Sequence, residues 1–272
     1  MNVENDKLYT PENPLKFVSL GWGIQSWTLV AMSALGEIPK IDYAIHADTT
    51  HEAAHTYAHA KKWTPWLEDH GIRVVTVRSD VTDIQNPEVY KGVFIPAYTI
   101  ADVSKSHGVL NRTCTSRWKI QPIRQFVRTL IPKTQPNIVE AWMGISLDEW
   151  TRMRDSDVKY IKNVYPLIDR RINRADCVAW LERNELDVPE KSACVFCPYH
   201  NIPTWNRMKQ KGGNDWEKAI DIDNLIRDKR ENHQLFVHTA RKPLEEAVKI
   251  PEDYNATQLE MDMVCDSGVC FV

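Results

Sequence analysis

Two groups of residues in this chain have types and spacings that imply chemistry. The first is the turn Ser19-Leu20-Gly21-Trp22-Gly23-Ile24-Gln25-Ser26, followed further on by Ala47-Asp48-Thr49. Glycines permit positive φ and a close approach of backbone to a ligand, and the N–H groups that open a helix face an anion. With the hydroxyls of Ser19 and Ser26, the turn has the makings of a phosphate cradle. It has neither a Gly-Lys-Ser/Thr ending nor a third glycine, so it matches neither of the two commonest nucleotide loops, and a plain strand-to-helix turn is the alternative. The second group is cysteine. Cys194-Val195-Phe196-Cys197-Pro198 spaces two thiolates so that they can grip one metal or neighbouring irons. A redox dithiol competes, although the pair lies between loop signals rather than after a core strand.

The elements that must position these groups are readable from periodicity. Residues 15–20 form a short buried strand and 27–35 a helix, which puts the glycine turn between them. Residues 41–49 read as a second strand ending in Asp48, where an open parallel sheet places ligand contacts. A helix over 51–70, a strand over 72–77 and another over 137–143 continue the alternation. The polar stretch 80–108 reads as an insertion or a lid. Residues 120–131 form a helix closed by Pro132. Beyond Pro166 the pattern is one of helices and loops, clearest as a helix at 215–231. The expected organisation is an extension over 1–14, a nucleotide-binding α/β domain over 15–170, and a helical, cysteine-bearing region over 171–272.

Composition narrows the class. The chain has 272 residues, a formal net charge of −3 and a pI near 6.3, which excludes an overall basic nucleic-acid binder but not a local basic groove. No apolar run approaches the roughly 20 residues needed to span a bilayer, and the polar first fourteen residues resemble neither a secretory signal nor a transit peptide. A cytoplasmic location follows as the expectation, and there paired cysteines point to metal or redox chemistry rather than to disulfides. His51, His55 and His59 repeat at i, i+4 and i+8, but without an HExxH pattern they are expected to be solvent-facing or hydrogen-bonded. Most of the ten tryptophans and Cys177 fall at apolar helix positions and are expected in the core. Arg112, Arg117, Lys119, Arg124 and Arg128 cluster beside Cys114 and suit a phosphate or RNA backbone, with a solvated helix face as the equal alternative for Arg124 and Arg128.

Beyond these readings, the turn resembles the PP-loop of the ATP pyrophosphatase superfamily, with core pattern Ser-Gly-Gly-x-Asp-Ser. Gly23 and Ser26 match; Gly21 stands for the first Ser, Trp22 for the first Gly and Gln25 for the Asp. Ala47-Asp48-Thr49-Thr50, with Glu52, is similar to the Asp-Thr-Gly-x-Glu strand end of phosphoadenosine phosphosulfate (PAPS) reductase relatives. Gly144-Ile145-Ser146-Leu147-Asp148-Glu149, with Arg152 and Arg154, resembles their Gly-Ile-Arg-x-x-Glu-Ser-x-x-Arg segment. Tyr165-Pro166-Leu167 followed by Val178-Ala179-Trp180-Leu181 resembles their Pro-Leu plus helix element. Cys114-Thr115 with Lys119 and Pro122 is similar to the Cys-Thr-x-x-x-Lys-x-x-Pro segment of many such proteins.

The resemblance implies an α/β, PP-loop-like fold with an open, mostly parallel sheet. It implies that Ser19, Gly21, Trp22, Gly23, Ile24, Gln25, Ser26, Asp48, Gly144 and Glu149 contact an adenine nucleotide, ATP with Mg2+. Ser26, Asp48 and Arg152 (or Arg154) would act in adenylation of a substrate with pyrophosphate release. Cys114, Cys194 and Cys197 would hold a [4Fe-4S] cluster with one iron open, as in some PP-loop sulfur-transfer enzymes. A closed zinc site with His200 or another cysteine as fourth ligand is the alternative. Cys265 and Cys270 form a terminal pair suited to a redox or persulfide relay, to a further cluster ligand or to a frayed tail, and Cys270 is similar in place to the mobile nucleophilic cysteine of PAPS reductases. The implied activity is sulfur transfer to a nucleic acid, tRNA or DNA, with a sulfur-donor protein as partner and oligomerisation left open. A sulfonucleotide reductase and a catalytically inactive, metal-stabilised binding protein are the alternatives.

Overall fold

The structure, a computed structural model, describes residues 9–80, 95–131 and 134–250. Pro132, Cys265 and Cys270 lie outside the described residues. In chain order the first half consists of β1 (Leu15–Ser19), α1 (Ile24–Ala34), β2 (Tyr43–Asp48), α2 (Ala54–Asp69), β3 (Arg73–Arg78), β4 (Tyr98–Ala101), β5 (His107–Val109), a π-helical turn (Thr115–Ile120), α3 (Gln121–Leu130) and β6 (Val139–Trp142). There follow a 3-10 turn (Leu147–Arg152), β7 (Ile161–Val164), α4 (Pro166–Asp169), α5 (Arg174–Arg183), α6 (Ile202–Lys211), α7 (Asn214–Ile226), β8 (His233–Phe236) and α8 (Leu244–Ala247).

Five strands form one parallel sheet in the order β3-β2-β1-β6-β7. The order runs outward both ways from β1, so the gap between β1 and β6 is the switch point where open α/β sheets bind ligands. The register pairs Phe17 with both Tyr43 and Ala141. Successive side chains alternate between faces, and here both faces are covered. Leu15, Phe17, Tyr43 and Ile45 pack with Ile123 and Val127 of α3, whereas Val18, Leu20 and Ala44 pack with Trp27, Leu29 and Val30 of α1 and Trp180 and Leu181 of α5. Leu29 and Val30 of α1 are entirely buried, each contributing roughly 1.5–3 kcal/mol relative to an exposed side chain. The open parallel sheet expected from the sequence is therefore present. Cys177 is fully buried in α5, as expected.

Three features differ from the sequence reading. The polar stretch after β3 contains β4 and β5, and with β8 these make a second, antiparallel sheet in the order β5-β4-β8. Its core joins Ile95, Ala97 and Trp118 to Phe196, Trp205, Ile222 and Leu235, so the early connection and the late helices share one apolar cluster. The helix expected over 120–131 is preceded by the π-helical turn, which buries Trp118 and Lys119. His51 precedes α2, so the three histidines do not share one helical face. His55 accompanies Lys191 O at 3.1 Å, as expected, but His59 is buried rather than solvent-facing.

A single carboxylate fastens this second sheet. Asp223 is fully buried; its oxygens accept the N–H groups of Val237 (2.8 Å) and Leu244 (3.0 Å) and pair with Arg227. Replacing Asp223 by Ala leaves two N–H groups and a guanidinium without their acceptor. Loss of about 3 kcal/mol or more of unfolding free energy is expected, read from urea titrations, with Asp223→Asn losing less.

Candidate functional site

The glycine turn opens where β1 ends. Gly23 caps α1 in an extended conformation and offers no side-chain acceptor to the first helical N–H groups, the arrangement that suits an external anion. The Ser26 hydroxyl closes the turn by accepting the Gly21 N–H and donating to Gly23 O, both at 3.2 Å. Trp22 has φ +58, and its ring is buried against Trp27 and His59 with centroids 5.9 and 5.8 Å away. The superfamily resemblance places a glycine at this position, and the left-handed backbone shows why. A non-glycine residue there costs roughly 1–2 kcal/mol, which the burial of an indole offsets. Thr50, also at a resembled glycine position, has φ +64. Its N–H donates to Asp48 Oδ1 at 2.7 Å.

Gly144 follows β6 and lies against the first turn of α1. A Cβ there would stand 2.7 Å from both the N and the Cα of Ser26, so only glycine allows the chain beyond β6 to pass this close. From this crossing the 3-10 turn carries Glu149 and Arg152 over the glycine turn. Gln25 Nε2 donates to Glu149 at 3.1 Å, Arg174 Nη1 donates to Gln25 Oε1 at 3.4 Å, and Arg152 pairs with Glu149 at 2.7 Å. The Nε of Arg152 is buried without a hydrogen-bond partner.

Three cavities adjoin in sequence along the cleft. The first, about 80 Å³, is lined by Ser19, Gly23, Ser26, Gly144, Glu149 and Arg152, among others. It shares Ser19, Met143, Ile145 and Arg152 with a second cavity of about 400 Å³, whose walls include Phe17, Ile123, Ala141, Ile161 and Tyr165. Arg154 belongs to the second cavity alone. Through Thr115 and Lys119 the second meets a small third cavity lined by Cys114, Cys194 and Cys197 with Trp118 and Phe196. Size and lining suit a nucleotide: a narrow end at the glycine turn and a roomier end that combines Phe17, Ile123 and Ile161 with charged residues such as Arg124, Arg152 and Arg154.

The cysteines reach this place by two routes. Cys114 opens the π-helical turn, and Cys194 forms an isolated bridge with Glu52 beyond β2, braced by Val195 N–H donating to His51 O at 2.8 Å. Cys194 Sγ lies 3.2 Å from Thr49 Oγ1, and burial pushes its thiol well above the ordinary range. Beside it, Lys119 Nζ and Glu52 Oε1 form a buried ion pair at 3.2 Å. This pair escaped the reading of Lys119 as part of a basic surface, because only the tertiary bridge brings Glu52 to it. Among the described residues, no group of three or more His, Cys, Asp or Glu side chains is gathered closely enough to hold a metal ion. Cys114, Cys194 and Cys197 nevertheless line one cavity. His200 Nε2 lies 2.9 Å from Cys194 O, and its ring packs on Trp205.

Two expected nucleotide contacts lie off the three cavities. Trp22 is turned into the core. Asp48 is almost fully buried at the end of β2 and accepts bonds from Arg78, Thr50 N–H and Tyr57 Oη. Burial alone would raise its pKa, but these donors outweigh it and hold the carboxyl below the usual range. The sequence reading missed Arg174, Lys191 and Ser192, which line the phosphate end. Arg174 stands next to the Asn173 cap of α5, a helix-start signal visible in Asn173 and Asp176.

Gly144→Ala places a methyl group against backbone that cannot swing away; a loss of about 1–3 kcal/mol in urea unfolding is expected. His59 gives a second test. Burial in its tryptophan cage, with Nε2 unpartnered, pushes its imidazole from 6.5 down to about 4. The unfolded chain takes up this proton first, so the contribution is complete above pH 6.5 and is lost as the pH falls toward 4, by up to about 3 kcal/mol. His46 and His238 are lowered in the same direction by burial, so His59→Gln should flatten, not abolish, the acid-side slope of the urea midpoint.

No protein-family model matches the chain, and neither does any curated protein. Among solved structures it is similar to a PAPS reductase from Candida auris in a phosphate complex, at 12% identity and a TM-score of 0.44, over 64% of this chain and 74% of that one. It is also similar to the U34-tRNA thiolase NcsA from Methanococcus maripaludis with its [4Fe-4S] cluster, at 14% identity and a TM-score of 0.40, over 95% of this chain and 74% of that one. The parallel sheet order, with the glycine turn at the end of its central strand and Gly144 packed across it, gives the chain an open α/β fold of the kind expected for a PP-loop protein.

Proposed function

We propose that this chain is a PP-loop-type enzyme that binds ATP with Mg2+, adenylates a nucleic-acid acceptor with release of pyrophosphate, and directs sulfur to the activated position. One observation carries the reading: a single cleft runs from the glycine turn, through an apolar cavity of nucleotide size, to three cysteines. The N–H groups at Gly23 to Ser26 receive the phosphates, and the base lies between Phe17, Ile123 and Ile161. An acceptor oxygen attacks the α-phosphorus, the bond to the β-phosphate oxygen breaks, and the adenylate formed is a good leaving group. Arg152, whose buried Nε lacks a partner, supplies positive charge where phosphate charge develops. Asp48 reaches a magnesium ion only by exchanging its bond to Arg78, whose side chain is 60% exposed.

Cys114, Cys194 and Cys197 would hold the iron–sulfur cluster, and the soft, thiol-only donor set on an apolar cavity suits it. When bound, a cluster with one iron free of protein thiolate supplies a site for hydrosulfide. The Lys119–Glu52 pair stands between that cavity and the nucleotide cavity and fixes the π-helical turn that carries Cys114. A cytoplasmic setting and a sulfur-donor protein belong to this reading.

Anaerobically purified protein is expected to show broad visible absorption and about four irons per chain, both lost in the Cys194→Ser variant. A colourless, zinc-containing protein overturns the cluster. Pyrophosphate release from ATP in the presence of nucleic acid should fall about 10²–10³-fold in Arg152→Ala. Sulfite release from PAPS without pyrophosphate release from ATP would instead identify a sulfonucleotide reductase.

A further inference from the structure

We propose that the cavity between the start of α2 and helix α6 is a subsite for the phosphodiester backbone of a single-stranded nucleic-acid acceptor. The inference rests on the functional reading above and places its acceptor. The cavity holds about 290 Å³ and is lined by four fixed cations, Arg174, Lys191, Arg207 and Lys211, with His55 and His200, against the carboxylates Glu190 and Asp215. Asp215 Oδ2 accepts the Ala54 N–H at 3.0 Å and so caps α2, while keeping its charge. Glu190 faces His55 at 4.0 Å, Arg207 at 3.5 Å and Lys211 at 3.4 Å. Two carboxylates do not neutralise four fixed cations, and the three separations from Glu190 are loose. A chain whose net charge is −3 thus concentrates positive charge in one concavity, the footprint of a site for an anionic strand.

Connection supplies the second argument. Arg174 and Lys191 also line the phosphate end of the nucleotide cleft. A strand held by Arg207 and Lys211 therefore reaches the glycine turn through a different wall from the one that opens to the apolar cavity. Acceptor and nucleotide would meet at the turn without competing for space. Ala53, Ala193 and Met208 give the cavity an apolar side for a sugar or base. Its volume takes an unpaired or extruded nucleotide and not a duplex. The charges are not needed to hold the fold: Lys211 is 62% exposed, and ion pairs of this kind contribute little to stability.

The test measures fluorescence anisotropy of a labelled single-stranded oligonucleotide, as DNA and as RNA, with the full chain over a range of salt. Lys211→Ala and Arg207→Ala should each weaken binding of at least one strand about 3–10-fold and lower the salt slope by about 0.7. Glu190→Gln, which removes the competing carboxylate, should tighten it; a merely structural salt-bridge network predicts no tightening. Unchanged binding of both strands in Lys211→Ala and Arg207→Ala, or weaker binding in Glu190→Gln, overturns the subsite. So does poly-glutamate binding more tightly than either strand with the same dependence on Lys211. Should Arg207→Ala not fold, the exposed Lys211 still decides. ATP binding is followed in the same samples. Its absence from the wild-type chain brings down the nucleotide reading, whereas its retention beside unaltered oligonucleotide binding in the variants brings down the subsite alone.

Discussion

The contact on which the site depends is the passage of Gly144 across the first turn of α1. The space left for a Cβ there is 2.7 Å from backbone atoms of Ser26, a separation at which something must shift. Because that space is empty, the chain leaving β6 lies directly against the helix start, and the 3-10 turn after it can hang Glu149 and Arg152 over the glycine turn. The hydrogen bond from Gln25 to Glu149 then ties the two strands of the switch point together from above. Without the crossing, the polar end of the cleft would be an open groove instead of a cavity of about 80 Å³. Gly144 therefore acts through the room it leaves rather than through a group it offers.

The same region stores backbone strain. Trp22 and Thr50 both occupy the left-handed region at the ends of adjacent parallel strands, β1 and β2. Each is held by a different means: Trp22 by an indole sunk among Trp27 and His59, Thr50 by its N–H on the Asp48 carboxylate. Glycine would take these conformations without strain but would not anchor them. A side chain at each corner makes the turn part of the core, so the phosphate-facing N–H groups are positioned before any ligand arrives. His59 belongs to this anchor, which is why its neutral form is the one the fold selects.

How much of this was legible in the sequence follows from the range of the interactions involved. The central strands, α1 and the glycine turn were readable because period-two and helical patterns are local, and the order of landmarks from Gly23 to Pro166 brought the sheet with it. The second sheet was not. His233–Phe236 is short and follows a charged run, and its partner Tyr98–Ala101 lies far away in a stretch whose polarity reads as loop. The same limit applies to the site. Cys194 and Cys197 announced themselves by spacing, but their place beside Cys114 depends on the bridge of Glu52 to Cys194, which no local pattern encodes. Asp48 was found at its expected strand end, while its engagement with Arg78 follows from strand register, since the two residues are paired across β2 and β3.

The substitution of Gln25 for the acid of the resembled loop changes the electrostatics of the cleft in a definite direction. The residue still does the geometric work, since its amide reaches Glu149 with one end and receives Arg174 with the other. An aspartate there would place a second carboxylate beside Glu149 and neutralise more of the charge on Arg152 and Arg174. With the neutral amide, the cavity at the glycine turn is more positive by about one unit charge than it would be with an aspartate. At close range in a partly desolvated pocket that difference is worth on the order of kcal/mol, and it favours a polyphosphate. It also removes from the turn a carboxylate oxygen of the kind a magnesium ion takes. In the proposed reading the turn therefore serves to hold the anion, and cleavage draws on Arg152 rather than on an acid of the loop.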